Sequence, residues 1–157
     1  ATTVLAASRP DERVRLWSAN VSHPASGAEF TLGEERRTGT WTDYVQGVTQ
    51  ALHAGGHRLG GADLYVASDI PVGAGLSSSA ALEVATVRAF AALYGFAITP
   101  LESARVAHEA EVSFVGVPVG VMDQMASAMA RTDAALFIDT RSRSVEQVPL
   151  PREVELL

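Results

Sequence analysis

The sequence lacks cysteine and lysine, and it has no apolar run long enough to cross a bilayer. Without cysteine the chain has neither a disulfide scaffold nor a thiolate metal site. Without lysine it has no Walker A loop, because that loop ends in Gly-Lys-Ser or Gly-Lys-Thr. No signal peptide is recognisable either, so we expect a cytoplasmic protein with no membrane partner.

Positive charge is also scarce in this chain. All 12 basic residues are arginine, and 18 acidic residues bring the formal net charge to -6. This balance disfavours nucleic acid as a partner. The length of 157 residues and the hydrophobic content of 47% suit one globular domain with its own core.

Hydrophobic periodicity predicts a mixture of strands and helices. The first two strands, at 2–7 and 13–19, are expected to pair as a hairpin, and residues 33–40 are expected to be a charged, flexible loop. The remaining predicted strands lie at 29–32, 62–70, 134–138 and 144–148, the last two as a closing hairpin. The predicted helices lie at 41–54, 77–94, 100–113 and 121–131.

A glycine-rich turn joins the strand at 62–70 to the helix at 77–94. Its sequence, PVGAGLSSSAALEVA from position 71, places Gly73 and Gly75 before three serines in the first turn of the helix. Glycines let backbone amides crowd inward, and the amides of a helix start attract anions, phosphate above all. A dinucleotide-binding turn fits poorly, because it needs a third glycine near Ser78. The alternative is a tight turn with serine caps and no ligand.

A second notable segment is EAEVSFVGVPVGVMDQ, residues 109–124. Glu109 and Glu111 lie near the end of a predicted helix, where the helix dipole disfavours negative charge. Either both are surface glutamates, or one of them faces a cation or a substrate. Asp123 stands at the start of the next predicted helix, where by itself it is typical of a helix cap.

Together with WTDYVQGV at 41–48, these segments resemble the GHMP small-molecule kinases, and within them the galactokinase family most closely. The glycine-serine segment indicates the superfamily, and the GxPxGxMDQ pattern after a glutamate-bearing helix indicates galactokinase rather than homoserine, mevalonate or phosphomevalonate kinases. The resemblance implies an α+β fold, which this kinase domain shares with a ribosomal protein. That fold has a mixed, mainly antiparallel sheet with helices on one face.

The resemblance also implies roles for particular residues. Asp123 matches the catalytic aspartate and, with Gly120, contacts the sugar substrate; Ser78 and Glu111 are the residues expected to hold Mg²⁺. ATP and galactose are the implied small-molecule partners, and galactose 1-phosphate is the implied product. The implied nucleotide-binding residues are Gly73, Ala74, Gly75, Leu76, Ser77, Ser78 and Ser79 around the phosphates, with Trp41 and Tyr44 near the adenine.

Two motifs of the family are missing from this sequence, a sugar-gripping motif and a glycine-rich loop of the C-terminal domain. We therefore expect residues 1–150 to form the N-terminal kinase domain, incomplete at its N-terminus, and residues 151–157 to begin a connection to a C-terminal domain. The 157-residue chain alone is expected to have no appreciable kinase activity, and the complete enzyme is expected to be a monomer.

Three other interpretations remain open at this point. A galactokinase-like sensor would bind sugar and nucleotide without turnover, but such proteins lose a Ser-Ala pair that is present here as Ser79-Ala80. An N-acetylgalactosamine kinase would share most of the same motifs. An RNA-binding protein of similar architecture is disfavoured by the acidic composition.

Overall fold

The computed structural model describes residues 1–21, 27–71, 73–142 and 144–151. Val72 of the glycine-rich turn, and residues 152–157 of the expected connection to a second domain, lie outside the described residues. The strands are β1 (Thr2–Ser8), β2 (Arg13–Ser18), β3 (Ala28–Thr31), β4 (Ala62–Ser68), β5 (Ala134–Asp139) and β6 (Ser144–Pro149). The helices are α1 (Thr42–Ala54), α2 (Ser78–Tyr94), α3 (Pro100–Glu109) and α4 (Met122–Met129), and a π-helical turn, Ala110–Val115, continues α3.

The main sheet has four strands in the order β1-β4-β2-β3. The β1–β4 and β2–β3 pairs are antiparallel, and β2 runs parallel to β4. The expectation of a mixed, mainly antiparallel sheet is therefore confirmed. Strands β5 and β6 form the expected closing hairpin as a separate two-stranded sheet.

The predicted hairpin between β1 and β2 is wrong, because β4 lies between them. The turn at 9–12 does reverse the chain, but the two strands each pair with β4 and not with each other. At Gly61 the chain crosses close to the turn at 9–12. The N–H of Gly61 donates to the carbonyl of Asp11, and the carbonyl of Gly61 accepts from the N–H of Arg9, both at 2.8 Å. A Cβ at Gly61 would overlap the Asp11 carbonyl oxygen and lie 2.6 Å from that of Arg13. Only glycine permits this close crossing of backbones.

The helices cover one face of the main sheet, as expected. Val14 and Leu16 of β2 pack with Leu64 of β4 against Val48 of α1 and Phe90 of α2, and all five are at most 1% exposed. Each such side chain contributes roughly 1.5–3 kcal/mol by its burial. A second apolar cluster joins α2, α3 and α4. On the opposite face, Leu5 is 64% and Tyr65 is 45% exposed. No helix in the described ranges is long and apolar enough to span a membrane.

The segment before α1 is held in place, contrary to the expectation of a flexible loop at 33–40. The N-cap residue of α1 is Trp41, and its side chain makes no capping hydrogen bond. The carboxylate of Asp43 instead accepts hydrogen bonds of 2.8 Å from the N–H groups of Thr38 and Gly39. Asp43 is 2% exposed. The loop and the first turn of α1 therefore form one structural unit.

Candidate functional site

The glycine-rich turn adopts backbone conformations that few residues tolerate. Gly73 and Gly75 have φ values of 75° and 72°, and Ser77 has a φ of 54°. A left-handed conformation at a residue other than glycine costs on the order of 1 kcal/mol and is typical of functional loops. Ser77 is the N-cap of α2, but its side chain makes no capping hydrogen bond. The serine-capped alternative is therefore not what the structure shows at Ser77, and the positive end of α2 stays open to an anionic ligand.

A cavity of about 350 Å³ lies between the start of α1, the end of β4 and the start of α2. Such a volume suits a small-molecule ligand. Its wall brings together five of the nine predicted nucleotide-binding residues: Trp41, Tyr44, Gly73, Ser78 and Ser79. Ala74, Gly75, Leu76 and Ser77 do not line it, and Leu76 is 61% exposed.

A larger groove, of about 560 Å³, runs between β1 and α2. Its wall is formed largely by alanines of α2 and by the first strand, and it includes none of the predicted site residues. The larger groove is therefore not the candidate site. The smaller cavity is the candidate, because predicted aromatic, glycine and serine residues line it.

Glu111 lies in the π-helical turn and is only 4% exposed, whereas Glu109 is exposed. The interpretation as a surface glutamate therefore holds for Glu109 and fails for Glu111. Glu111 Oε2 accepts a hydrogen bond of 2.6 Å from Nε2 of Gln124. A π-helical turn often marks a functional site, and here it carries a carboxylate that faces the interior.

Glu83 of α2 is a buried carboxyl group that the sequence analysis missed. It is fully buried, and its Oε2 lies 3.5 Å from Nε2 of Gln124. Burial, and then the charge of Glu111, raise the pKa of Glu83 to about 9, so this group is a neutral acid at pH 7. The available signal was a single glutamate in an otherwise apolar stretch of helix.

The buried carboxyl groups also affect the cavity wall. The pKa of Tyr44 is raised, mainly by burial and then by the charges of Glu111, Glu83 and Asp43. Since Tyr44 lines the cavity, the carboxyl cluster lies within electrostatic reach of it.

The neutral state of Glu83 predicts a pH dependence of stability. Between about pH 4.5 and pH 9 the folded protein retains a proton that the unfolded chain releases, so this group lowers the free energy of unfolding as pH rises through that window. We expect Glu83→Gln to make the melting temperature less sensitive to pH between about pH 6 and pH 9. Calorimetry of both proteins over this range measures the difference. Glu146→Gln, at an exposed position on β6, is the control and should follow the wild type; identical slopes for all three proteins would contradict the assignment.

Asp123 is the second residue of α4, and it is half-buried. The N-cap position belongs to Val121, so Asp123 is not a cap in the strict sense. The first-turn amides of α4 stabilise a negative charge at this point. Gly120 lies just before this helix, and a Cβ there would meet nothing within 4 Å, which leaves its backbone accessible.

A magnesium ion at this site would need oxygen ligands from several sources. Within residues 1–21, 27–71, 73–142 and 144–151, no three acidic or histidine side chains are grouped to hold a metal ion. The predicted pair, Ser78 and Glu111, supplies a hydroxyl and a carboxylate, which suit a hard cation once phosphate oxygens complete the shell. The donor chemistry therefore fits magnesium bound together with a nucleotide.

Several known kinases are similar to this chain in sequence. Residues 43–131 match the family of GHMP kinases, N terminal domain. The chain is 38% identical over 155 residues to a galactokinase of Pyrococcus furiosus, covering 99% of this chain and 43% of that protein. It is 44% identical over 158 residues to a galactokinase of Roseiflexus sp. (strain RS-1), covering 100% of this chain and 40% of that protein.

The fold agrees as well. The crystal structure of Lactococcus lactis galactokinase complexed with galactose superposes with a TM-score of 0.88 at 32% identity, over 94% of this chain and 39% of that chain. The chain thus spans less than half the length of these relatives, namely 43% and 40% of the two sequences. The family match at 43–131 covers more than half of the chain, and the chain therefore belongs to the GHMP kinases, through their N-terminal domain.

Proposed function

We propose that the protein containing this chain is a galactokinase that transfers the γ-phosphoryl group of ATP to the anomeric hydroxyl of galactose. The observation that carries the proposal is the cavity of about 350 Å³, which gathers Trp41, Tyr44, Gly73, Ser78 and Ser79 in one wall. These are the aromatic and phosphate-loop positions that such a kinase requires. The 0.88 TM-score to a galactose-bound galactokinase supports galactose as the sugar.

In this proposal the nucleotide lies along the start of α2. Trp41 and Tyr44 would contact the adenine, and the backbone of residues 73–79 would surround the phosphates. The left-handed Gly73 and Gly75 leave room for phosphate oxygens, since a Cβ at either glycine would meet nothing within 4 Å. The amides of α2 then supply the positive potential that a loop lysine supplies in a Walker A site.

The chemical step is an in-line phosphoryl transfer. The anomeric oxygen of the sugar forms a bond to the γ-phosphorus as the bond between that phosphorus and the β,γ-bridging oxygen breaks. The carboxylate of Asp123 accepts the proton of the sugar hydroxyl, and the backbone at Gly120 contacts the sugar. Mg²⁺, held by Ser78 and Glu111 together with the nucleotide, would neutralise charge on the phosphates. The monomeric, cytoplasmic state expected for the enzyme stays a prediction.

A direct assay tests this function. The complete protein is incubated with MgATP and, separately, with galactose, N-acetylgalactosamine or mevalonate, and ADP release is measured. We expect turnover with galactose at a kcat/KM well above that for the other two compounds. A preference for N-acetylgalactosamine would identify that compound, and not galactose, as the substrate. No turnover with any sugar would overturn the proposal.

Ser78→Ala tests the nucleotide side of the site. The hydroxyl is predicted to serve as a ligand of the magnesium ion, so its loss is expected to raise the Mg²⁺ concentration needed for half-maximal rate by roughly tenfold. KM for galactose should change little. Ser127→Ala, at an exposed position of α4 outside the cavity, is the matched control. An unchanged Mg²⁺ dependence in Ser78→Ala would remove Ser78 from the metal site.

A further inference from the structure

Three buried polar side chains from three separate elements meet in the interior, within electrostatic reach of Tyr44 in the cavity wall. Glu83 comes from α2, Glu111 from the π-helical turn and Gln124 from α4, and their exposures are 0%, 4% and 0%. Nε2 of Gln124 donates to Oε2 of Glu111 at 2.6 Å and lies 3.5 Å from Oε2 of Glu83. One amide group therefore faces two carboxyl groups.

The position of this amide is fixed by the packing of α4. Met125 and Ala128, on the same helix, are at most 5% exposed and belong to the apolar cluster with α2 and α3. The guanidinium of Arg88 on α2 donates to the carbonyl of Ala128 at 2.6 Å, which ties the far end of α4 to α2. The side chain of Gln124 thus extends from a helix that cannot move without disturbing the core.

The cluster does not look like an optimised structural contact. Oε1 of Gln124 is buried without a hydrogen-bond partner among the described residues. Buried polar atoms without partners reduce stability, and apolar side chains of similar size would avoid that cost. Two carboxyl groups and an amide buried together are a costly arrangement for stability alone, which points to a role for them at the site.

We propose that Gln124 is a positioning residue that holds the carboxylate of Glu111 in the orientation needed for metal binding. The proposal rests on the proposed kinase function, in which Glu111 is a magnesium ligand. Gln124 directly follows Asp123 in α4, so the same helical turn fixes the metal-binding carboxylate and carries the predicted base. A displacement of α4 would disturb both groups together.

The test replaces Gln124 with methionine, which keeps the length and removes the donor. The readout is the affinity of the complete protein, with ADP bound, for Mn²⁺, measured by electron paramagnetic resonance. We expect Gln124→Met to weaken Mn²⁺ binding by about tenfold or more and to lower kcat by a similar factor, with KM for galactose little changed. Wild-type Mn²⁺ affinity in Gln124→Met would overturn the proposal.

Gln147→Met is the control, because Gln147 is a partly buried glutamine outside the cluster whose amide donates a hydrogen bond of 2.8 Å to the carbonyl of Met129. It should lose stability without any change in Mn²⁺ affinity. If Gln147→Met weakened Mn²⁺ binding as much as Gln124→Met, the effect would be general destabilisation and the proposal would fail.

A double-mutant cycle keeps the proposal testable even where Gln124→Met is poorly stable. Gln124→Met introduced into Glu111→Gln should weaken Mn²⁺ binding no further, since the group it positions is already changed. Additive losses would show that the two residues act independently and would overturn the proposal. These binding measurements need no sugar turnover, so an absence of galactose phosphorylation would contradict the proposed function and leave this inference to be decided by the Mn²⁺ data.

Discussion

Replacing Asp123 with asparagine is expected to lower kcat for galactose phosphorylation by roughly 10²–10⁴-fold, the usual contribution of a general base. Asparagine has the same shape and can occupy the second position of α4, but it cannot accept the proton of the sugar hydroxyl. KM for ATP should stay close to the wild-type value, because the predicted nucleotide contacts lie on α1 and at the start of α2. Steady-state kinetics of the complete protein, with each substrate varied in turn, measures both effects.

Asp133→Asn is the matched control for this substitution. Asp133 is an exposed residue outside the candidate site, and its φ of 60° is one that asparagine tolerates well. It should retain wild-type kcat. If Asp123→Asn were as active as Asp133→Asn, then Asp123 would have no part in the chemistry.

Gly61→Ala is expected to cause the largest loss of stability among single methyl additions at the described glycines. The new Cβ would overlap the carbonyl oxygen of Asp11, a backbone atom that cannot rotate away. Relief requires β4 to separate from the turn before β2, which breaks the hydrogen bonds between Gly61 and both Arg9 and Asp11. We expect the free energy of unfolding to fall by about 3 kcal/mol or more, and the melting temperature of the complete protein to fall by roughly 5–10 °C.

Gly120→Ala provides the comparison, because a Cβ at Gly120 would meet nothing within 4 Å and no positive φ is involved. Its melting temperature should lie close to that of the wild type in the same calorimetric scan. Equal melting temperatures for the two variants would mean that the crossing at Gly61 is looser than the structure shows.

Local signals predicted the helices well. A capping box of Thr99 and Glu102, with Pro100 at the first helical position, starts α3 at residue 100, where the helix was predicted to begin. Gly95, with a φ of 69°, ends α2. Such signals depend only on neighbouring residues, so a single sequence contains all the information they need.

Strand pairing could not be predicted in the same way. The alternation of Val14 and Leu16 correctly identifies the buried face of β2, but it does not say which strand lies beside it. The choice of β4 as the partner depends on contacts between residues almost 50 positions apart and on the close crossing at Gly61. The closing hairpin of β5 and β6 was predicted because its pairing is local.

Part of the candidate site could be predicted because it depends on local sequence patterns. The glycine-rich turn and Asp123 belong to sequence patterns with recognisable chemistry. The contact of Gln124 with Glu111 and Glu83 depends on the mutual packing of α2, the π-helical turn and α4, and no spacing in the sequence encodes it. Helical periodicity also fails at Ala110–Val115, because it assumes 3.6 residues per turn.

The π-helical turn makes the site sensitive to chain length as well as to side-chain identity. A π-helical turn contains about one residue more than an α-helical turn. Deleting one residue from Ala110–Val115 would let the segment return to α-helical geometry, in which each residue advances the helix by about 100°. Because the shorter α-helical segment completes the same turn with one residue fewer, residues beyond the deletion would keep their orientation, and only side chains within the segment, Glu111 among them, would be redirected. Conversely, a one-residue insertion into an ordinary amphipathic helix is a simple evolutionary route to an inward-facing carboxylate.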